Sequence, residues 1–307
     1  MTQIRPLTSF PHRLFQKISI ILCWTFFHKF NFSGAKEIEV GPYGNIVLEL
    51  NRSSDLGQKG ERILLPFDQV IFRNIVRLGV WEKNESNYLS SLAFEHRNKK
   101  LVFIDIGGQA GLISRQFLTK SSEYIFHTWI VEPIERHVSA IEFNLAKWIE
   151  SNQVRVFPYA LDSTSSKNLI HIANDNSGNA SLFDYLSPNR PSTTTEILTK
   201  SVQEFESMVY SSKYKFLIKC DIQGMDAKVL SLFSKSFWSQ TLGCVVEIWA
   251  LPSVNEDHVE ILIDLWRSFD HFSWDSSLKI KTNLQEIKDF WLSGSGATKN
   301  LFLTKTN

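Results

Sequence analysis

Short apolar runs alternate with helical repeats through the last two thirds of the chain. The runs lie at 101–104 (LVFI), 124–131, 154–157, 214–218 and 244–249. They are rich in Val, Ile and Phe, with little alternation, which suits strands buried on both faces. Between them, residues 112–118, 134–149, 225–233 and 254–269 space apolar side chains at helical intervals. Strand alternating with helix predicts right-handed crossovers and an open, doubly wound, mostly parallel sheet with helices on both faces. Residues 272–281 and 300–304 supply two final antiparallel strands, for seven in all. Residues 163–192 interrupt the alternation with a long polar stretch, β-like at 169–172 and 181–183. It reads as an insertion over the carboxyl edge of the sheet, where ligands bind in such folds.

The first hundred residues read differently. Residues 36–50 alternate weakly around the turn Gly41-Pro42-Tyr43-Gly44, 52–60 is a polar loop, and 67–78 is helical. Residues 1–60 are therefore expected to form an N-terminal helix and short strands that cap the domain beginning at 61. The apolar run at 18–27 is about half the ~20 residues that a spanning helix needs. Cations flank it, so residues 14–30 suit either a core helix or peripheral contact with a membrane surface.

The 307 residues fit one large domain with an appendage. Lys plus Arg is 33 and Asp plus Glu is 32, leaving +1, which argues against a broad grip on nucleic acid. Cys23, Cys220 and Cys244 are too few and too scattered for a disulfide framework or a cysteine zinc site. They fit a reducing compartment, so a cytoplasmic location is expected. The eight histidines show no ligand-like pairing, so no metal site is expected. Aromatic residues are abundant at 13%, including 9 Trp, which suggests a large aromatic core or an apolar groove as well.

The candidate chemistry lies at strand ends. Asp105-Ile-Gly107-Gly-Gln-Ala-Gly111 follows the first buried strand and opens a helix. The glycines permit a tight turn and a close approach of backbone to ligand. The spacing is not the G-x-G-x-x-G of a dinucleotide site, which counts against a nicotinamide enzyme. An acid two residues before the first glycine suits a ligand with a cationic amino-acid part, such as S-adenosylmethionine (SAM). Glu132, 27 residues after Asp105, ends the second strand, where a carboxylate can accept from ribose hydroxyls. Asp162 follows the third strand and either faces an adenine amine or caps a turn. Asp221, in IKCDIQGMD, ends the fourth strand and either points toward the reacting centre or caps the next helix. Lys219 before it is expected to face a neighbouring loop.

Removing the proton from an attacking hydroxyl needs a carboxylate or imidazole within reach. The candidates are Asp221, then Glu247 in the apolar run CVVEIW, then His171 in the insertion. Glu247 reads equally as a buried structural acid, and His171 as an exposed strand residue. Asn174–Ser181 is rich in hydrogen-bonding side chains and suits a polyhydroxylated acceptor or a solvated turn. Trp249 suits stacking on a ring or a core position.

Together FIDIGGQAGLIS, IVEPIERHVSAIEFNLA, ANDNSGNASLF and FLIKCDIQGMDAKVL, with the lead-in LPFDQVIFRNIVRLGVWEKNE, resemble the FkbM family of SAM-dependent methyltransferases. The resemblance covers roughly residues 63–303. It implies a class I Rossmann-like methyltransferase domain over 61–307, SAM as cofactor, and O-methylation of a hydroxyl on a sugar, glycan or small metabolite. Carried over by position, Asp105, Gly107 and Gly111 would line the methionine and ribose part of SAM, Glu132 would hold the ribose, Asp162 would sit by adenine, and Asp221 would lie at the methyl-transfer end. The family commonly has Asn at Gln109 and Glu at Gln223 and Asp226. Gln223 can be neither anion nor base, which keeps open a non-catalytic relative that serves as an interaction protein. An RNA or protein methyltransferase is the other alternative. The near-neutral charge and the lack of an (N/D)PP(Y/F/W) tetrapeptide count against methylation of a base.

Overall fold

The computed structural model describes residues 35–40, 45–66, 68–173, 178, 180–182 and 192–306. The apolar run at 18–27 and most of the polar segment at 174–181 lie outside them. The described chain opens with three antiparallel strands, β1 (Ala35–Val40), β2 (Ile46–Leu50) and β3 (Arg62–Leu65), then helices α1 (Gln69–Leu78) and α2 (Lys83–Glu95). Asp68 starts α1 by accepting the Val70 and Ile71 amides at 2.8 and 3.0 Å, and Gly79, at φ 71°, ends it.

The expected alternation follows: β4 (Lys100–Ile106), α3 (Leu112–Ser121), β5 (Ile125–Val131), α4 (Glu135–Asn144), α5 (Ala146–Glu150) and β6 (Val154–Phe157). The insertion then builds β7 (Ala160–Asp162), β8 (Ser166–Ala173), β9 (Ala180–Ser181) and β10 (Ser192–Ser201). The chain returns through α6 (Val202–Val209), β11 (Tyr214–Cys220), α7 (Asp226–Ser231), α8 (Lys235–Gln240), β12 (Thr241–Trp249), α9 (Glu256–Trp266), β13 (His271–Ser273), α10 (Leu284–Leu292) and β14 (Thr298–Thr304).

Seven strands form the central sheet in the order β13-β14-β12-β11-β4-β5-β6. β4 pairs in parallel with both β5 and β11, while β14 runs antiparallel to β12 and β13. The chain winds outward from β4 to β6, then restarts beside β4 at β11. The gap between the ends of β4 and β11 is therefore the topological switch point, where such sheets bind ligands.

The aromatic surplus goes into the core. Trp238, Trp266 and Trp291 are among the largest fully buried side chains, and Trp266 stacks on Trp291 at 6.0 Å. The insertion is a second sheet, β7-β10-β8-β9, whose Ile170, Ile172 and Ile197 pack with Ile134 at the carboxyl edge of the main sheet. The N-terminal sheet packs its apolar face on Ala110, Leu112 and Ala140. Its strand β3 lies beyond residue 60 and is tied to the large domain by Asn144. That amide accepts from the Leu64 N–H and donates to the Leu64 and Ala110 carbonyls, each at 2.8 Å. Among the described residues, no helix is long and apolar enough to cross a membrane.

Candidate active site

A cleft of about 270 Å³ opens at the carboxyl ends of β4, β5 and β11. The turn after β4 forms its floor. Gly107 has φ 84°, and a Cβ there would lie 2.0 Å from the Asp221 carbonyl oxygen. A Cβ on Gly108 would lie 2.3 Å from Ile130 Cγ2. These two backbones are therefore bare because side chains do not fit. Gln109 follows at φ 49°, with its side-chain nitrogen buried and without a hydrogen-bond partner among the described residues.

Asp105 ends β4 with 1% of its surface exposed. Its Oδ2 accepts from Ser114 Oγ at 2.6 Å. Its Oδ1 has no hydrogen-bond partner among the described residues and faces the Lys219 ammonium at 4.0 Å. Burial pushes the carboxyl above its ordinary range, against the opposing pull of Lys219 and Ser114. Lys219 faces the neighbouring glycine turn, as expected, and also lines the cleft. Its Nζ lies 3.4 Å from both Asp221 Oδ2 and the Gly107 carbonyl. Burial opposes its charge, but Asp221, Asp105 and Glu82 outweigh burial and raise its pKa.

Asp221 projects into the cleft beside Gln223, which sits at φ 54°. Gln223 Nε2 donates to Asp221 Oδ1 at 2.7 Å and to Glu247 Oε2 at 3.0 Å. The amide therefore bridges two acids that an acid in its place would repel. Asp226 sits beneath and holds the turn by accepting the Ile222 and Gly224 amides at 3.1 and 3.2 Å.

The sequence reading did not single out Glu82. It precedes α2 in a left-handed conformation, φ 41° and ψ 55°, which is costly for a side-chain-bearing residue and recurs at functional sites. Gln116 clamps the neighbouring Trp81, accepting its N–H at 3.0 Å and donating to its carbonyl. The Glu82 carboxyl lines the cleft without a hydrogen bond or ion pair to the described residues. Burial pushes its pKa up to about 8, with Asp221, Glu85 and Asp105 adding to the rise and Lys219 opposing it. Burial likewise pushes Glu247 up to about 9, helped by Asp221, Asp226 and Glu82.

A carboxyl raised in the folded state contributes stability that is full below its unfolded value, near 4.5, and lost as pH rises through the folded value. The melting temperature is expected to fall between pH 6 and 9. In Glu247→Gln this fall should be shallower by about one proton's worth. An unchanged slope would mean that Glu247 titrates normally.

Glu132 ends β5 and lines the cleft, 4% exposed. Its Oε2 accepts the Gln109 N–H at 2.9 Å, and its Oε1 accepts the Ile134 N–H at 2.9 Å. His137, also missed from sequence, lies on the first turn of α4 with Nδ1 3.2 Å from Glu132 Oε1. The cleft thus brings together Asp105, Gly107, Glu132, Asp221 and Glu247. Four expected residues lie outside its lining. Gly111 backs against Leu145 and Ile141, where it permits close helix packing. Asp162 pairs with Lys228, leaving Ala160 and Leu161 as the lining residues of β7. His171 alternates with the lining Ile170 and so takes the opposite face of β8. Trp249 donates to the Gly296 carbonyl at 3.1 Å, also outside the lining. Among the described residues, no group of three or more His, Cys, Asp and Glu is placed to hold a metal ion.

The strand order, with β14 reversed between β12 and β13, is that of the Rossmann-like class I methyltransferase fold. No protein-family description matches the chain, and no curated protein matches it. Similar solved structures include the methyltransferase FkbM from Methylobacillus flagellatus KT, with TM-score 0.42 and 11% identity over 70% of this chain and 47% of that one. This chain therefore spans about half the length of that protein. Others are precorrin-6y C5,15-methyltransferase from Geobacter metallireducens GS-15 (TM-score 0.33, 10% identity, 71% and 87% covered) and the methyltransferase domain of METTL16 (TM-score 0.39, 9% identity, 72% and 66% covered).

Proposed function

We propose that the chain is a SAM-dependent methyltransferase that methylates a hydroxyl oxygen of a sugar, glycan or small metabolite. The observation that carries this reading is Asp105: a buried acid beside the switch point, with one oxygen lacking a hydrogen bond to the described residues, in the cleft that the Gly107 turn also lines. That arrangement fits an adenosylated amino acid. Asp105 and the Gly107 turn take the amino-acid part, Glu132 takes the ribose, and Ala160 and Leu161 flank the base. When bound, SAM supplies a sulfonium methyl for in-line displacement, and the chain's work is to align the acceptor oxygen and exclude water.

Proton removal falls to Glu82. Asp221 has one oxygen held by Gln223 and the other near Lys219, while Glu247 accepts from the Gln223 amide and is raised further, to about 9. Glu82 makes no hydrogen bond or ion pair to the described residues, and its value of about 8 is the nearer of the two to working pH, where a general base is most effective. Gln223 supports a working site over a degenerate one, since its amide keeps Asp221 and Glu247 together. In this reading the enzyme is cytoplasmic, and residues 14–30 supply any peripheral membrane contact.

The test is transfer of labelled methyl from SAM to a panel of methyl glycosides and polyols, with parallel binding titrations of Asp105→Ala and Glu132→Ala. Transfer to oxygen is expected, with S-adenosylhomocysteine affinity reduced about 10-fold or more in each variant. Unchanged affinity in both variants would overturn the binding mode. Labelling of RNA or protein instead would overturn the acceptor class.

A further inference from the structure

The hydrogen bonds around Glu132 leave it short of acceptors. A carboxylate offers about four lone-pair sites. Oε1 already takes the Ile134 N–H and faces His137 Nδ1, and Oε2 takes the Gln109 N–H. One site remains, on Oε2. A ribose presents two adjacent hydroxyls, so Glu132 can accept from only one of them without losing a bond that shapes the glycine turn.

His137 is the complementary group. An ionised carboxylate only accepts, so the proton in the His137–Glu132 contact sits on Nδ1. In the neutral ring, Nε2 is then a bare lone pair. His137 is 1% exposed, lines the cleft, and its Nε2 has no hydrogen-bond partner among the described residues. A buried polar atom left unpaired is costly, and in native sites it marks a missing partner. Asp68, the other carboxylate on this wall, is engaged as a helix cap: Oδ1 holds the Val70 and Ile71 amides, and Oδ2 lies 3.3 Å from the Gly178 N–H.

Resting on the cofactor reading above, we infer that His137 and Glu132 divide the ribose diol between them: Glu132 Oε2 accepts one hydroxyl and His137 Nε2 accepts the other. His137 is then a cofactor-binding residue, and it also fixes the carboxylate that shares its task. The pair makes the site selective for an intact vicinal diol.

Two substitutions separate these roles. His137→Asn keeps a donor near the Nδ1 position for Glu132 but does not reach the Nε2 position. His137→Gln reaches that position with an acceptor. The full-length chain is titrated calorimetrically with S-adenosylhomocysteine, adenosine, 2′-deoxyadenosine and 3′-deoxyadenosine, with thermal melts to verify folding. The wild type is expected to bind S-adenosylhomocysteine and to lose about 10-fold or more for at least one deoxyadenosine relative to adenosine. His137→Asn should bind S-adenosylhomocysteine about 10- to 100-fold more weakly and lose discrimination against one deoxy form, while His137→Gln retains most of both. A folded His137→Asn with wild-type affinity and discrimination would overturn this inference and leave the cofactor reading intact. A wild type that binds no S-adenosylhomocysteine would overturn both.

Discussion

Replacing Gly107 with alanine is expected to abolish cofactor binding and to lower the melting temperature by about 5–15 °C. The new methyl would lie 2.0 Å from the Asp221 carbonyl oxygen and 3.0 Å from Ile222 Cγ2. Neither neighbour can yield cheaply. The carbonyl belongs to the turn that carries Asp221 and Gln223, and the Asp221 N–H donates to the Ile106 carbonyl at 3.0 Å. The residue also sits at φ 84°, where a side chain is strained even in open space. Left-handed strain and overpacking together cost about 2–5 kcal/mol. Gly60→Ala is the matched control: its φ is 86°, but a Cβ would meet nothing within 4 Å. It should lose only the strain contribution, about 1–2 kcal/mol, and bind cofactor normally. Equal losses in the two variants, measured by thermal melts and titration, would show that the close approach of the β4 and β11 turns is not what the site depends on.

Glu82→Gln should lower turnover by about 10²- to 10⁴-fold while cofactor affinity changes little. The substitution keeps the size and hydrogen-bonding capacity of the side chain and removes its basicity. The sign of the pH dependence follows from the raised pKa. The base works when deprotonated, so wild-type turnover should climb with pH and level off above about 8. The Gln variant should lack that climb. Rates would be read as S-adenosylhomocysteine release with an acceptor from the glycoside and polyol panel. A variant that keeps the rise near pH 8 would assign it to another group, with Glu247 the next to test.

The sheet was legible because its strands are buried on both faces and read as unbroken apolar runs. Even the reversed final pair at 272–281 and 300–304 stood out, although β13 spans only His271–Ser273. Helix α2 was not legible: KNESNYLSSLAFE has few long apolar residues, and it buries Glu85 and Ser86 along with Leu89 and Leu92. The insertion was recognised as a cover, but β10 begins STTTE and is largely exposed, so its eight pairings with β8 left little hydrophobic trace.

The site was legible where a strand end carries an acid or opens into the Gly107 turn. Asp105, Glu132, Asp221 and Glu247 all line the cleft. Lys219 had a usable signal: residues two apart on a strand share a face, so it had to point with Asp221. His137 lies five residues after Glu132 across a proline, and one helical turn brings it back onto the carboxylate. Glu82 had no such signal. It comes from the lead-in segment, and only tertiary packing sets it against β11, more than a hundred residues later. Asp162 shows the converse, a strand-end acid drawn off the cleft by Lys228 on α7.

The most direct test of the account is a calorimetric titration of the purified chain with SAM, S-adenosylhomocysteine and NAD. Saturable micromolar binding of both adenosyl ligands, with none for NAD, is the predicted result. A folded chain that binds neither adenosyl ligand would contradict the cofactor assignment and, with it, the proposed activity.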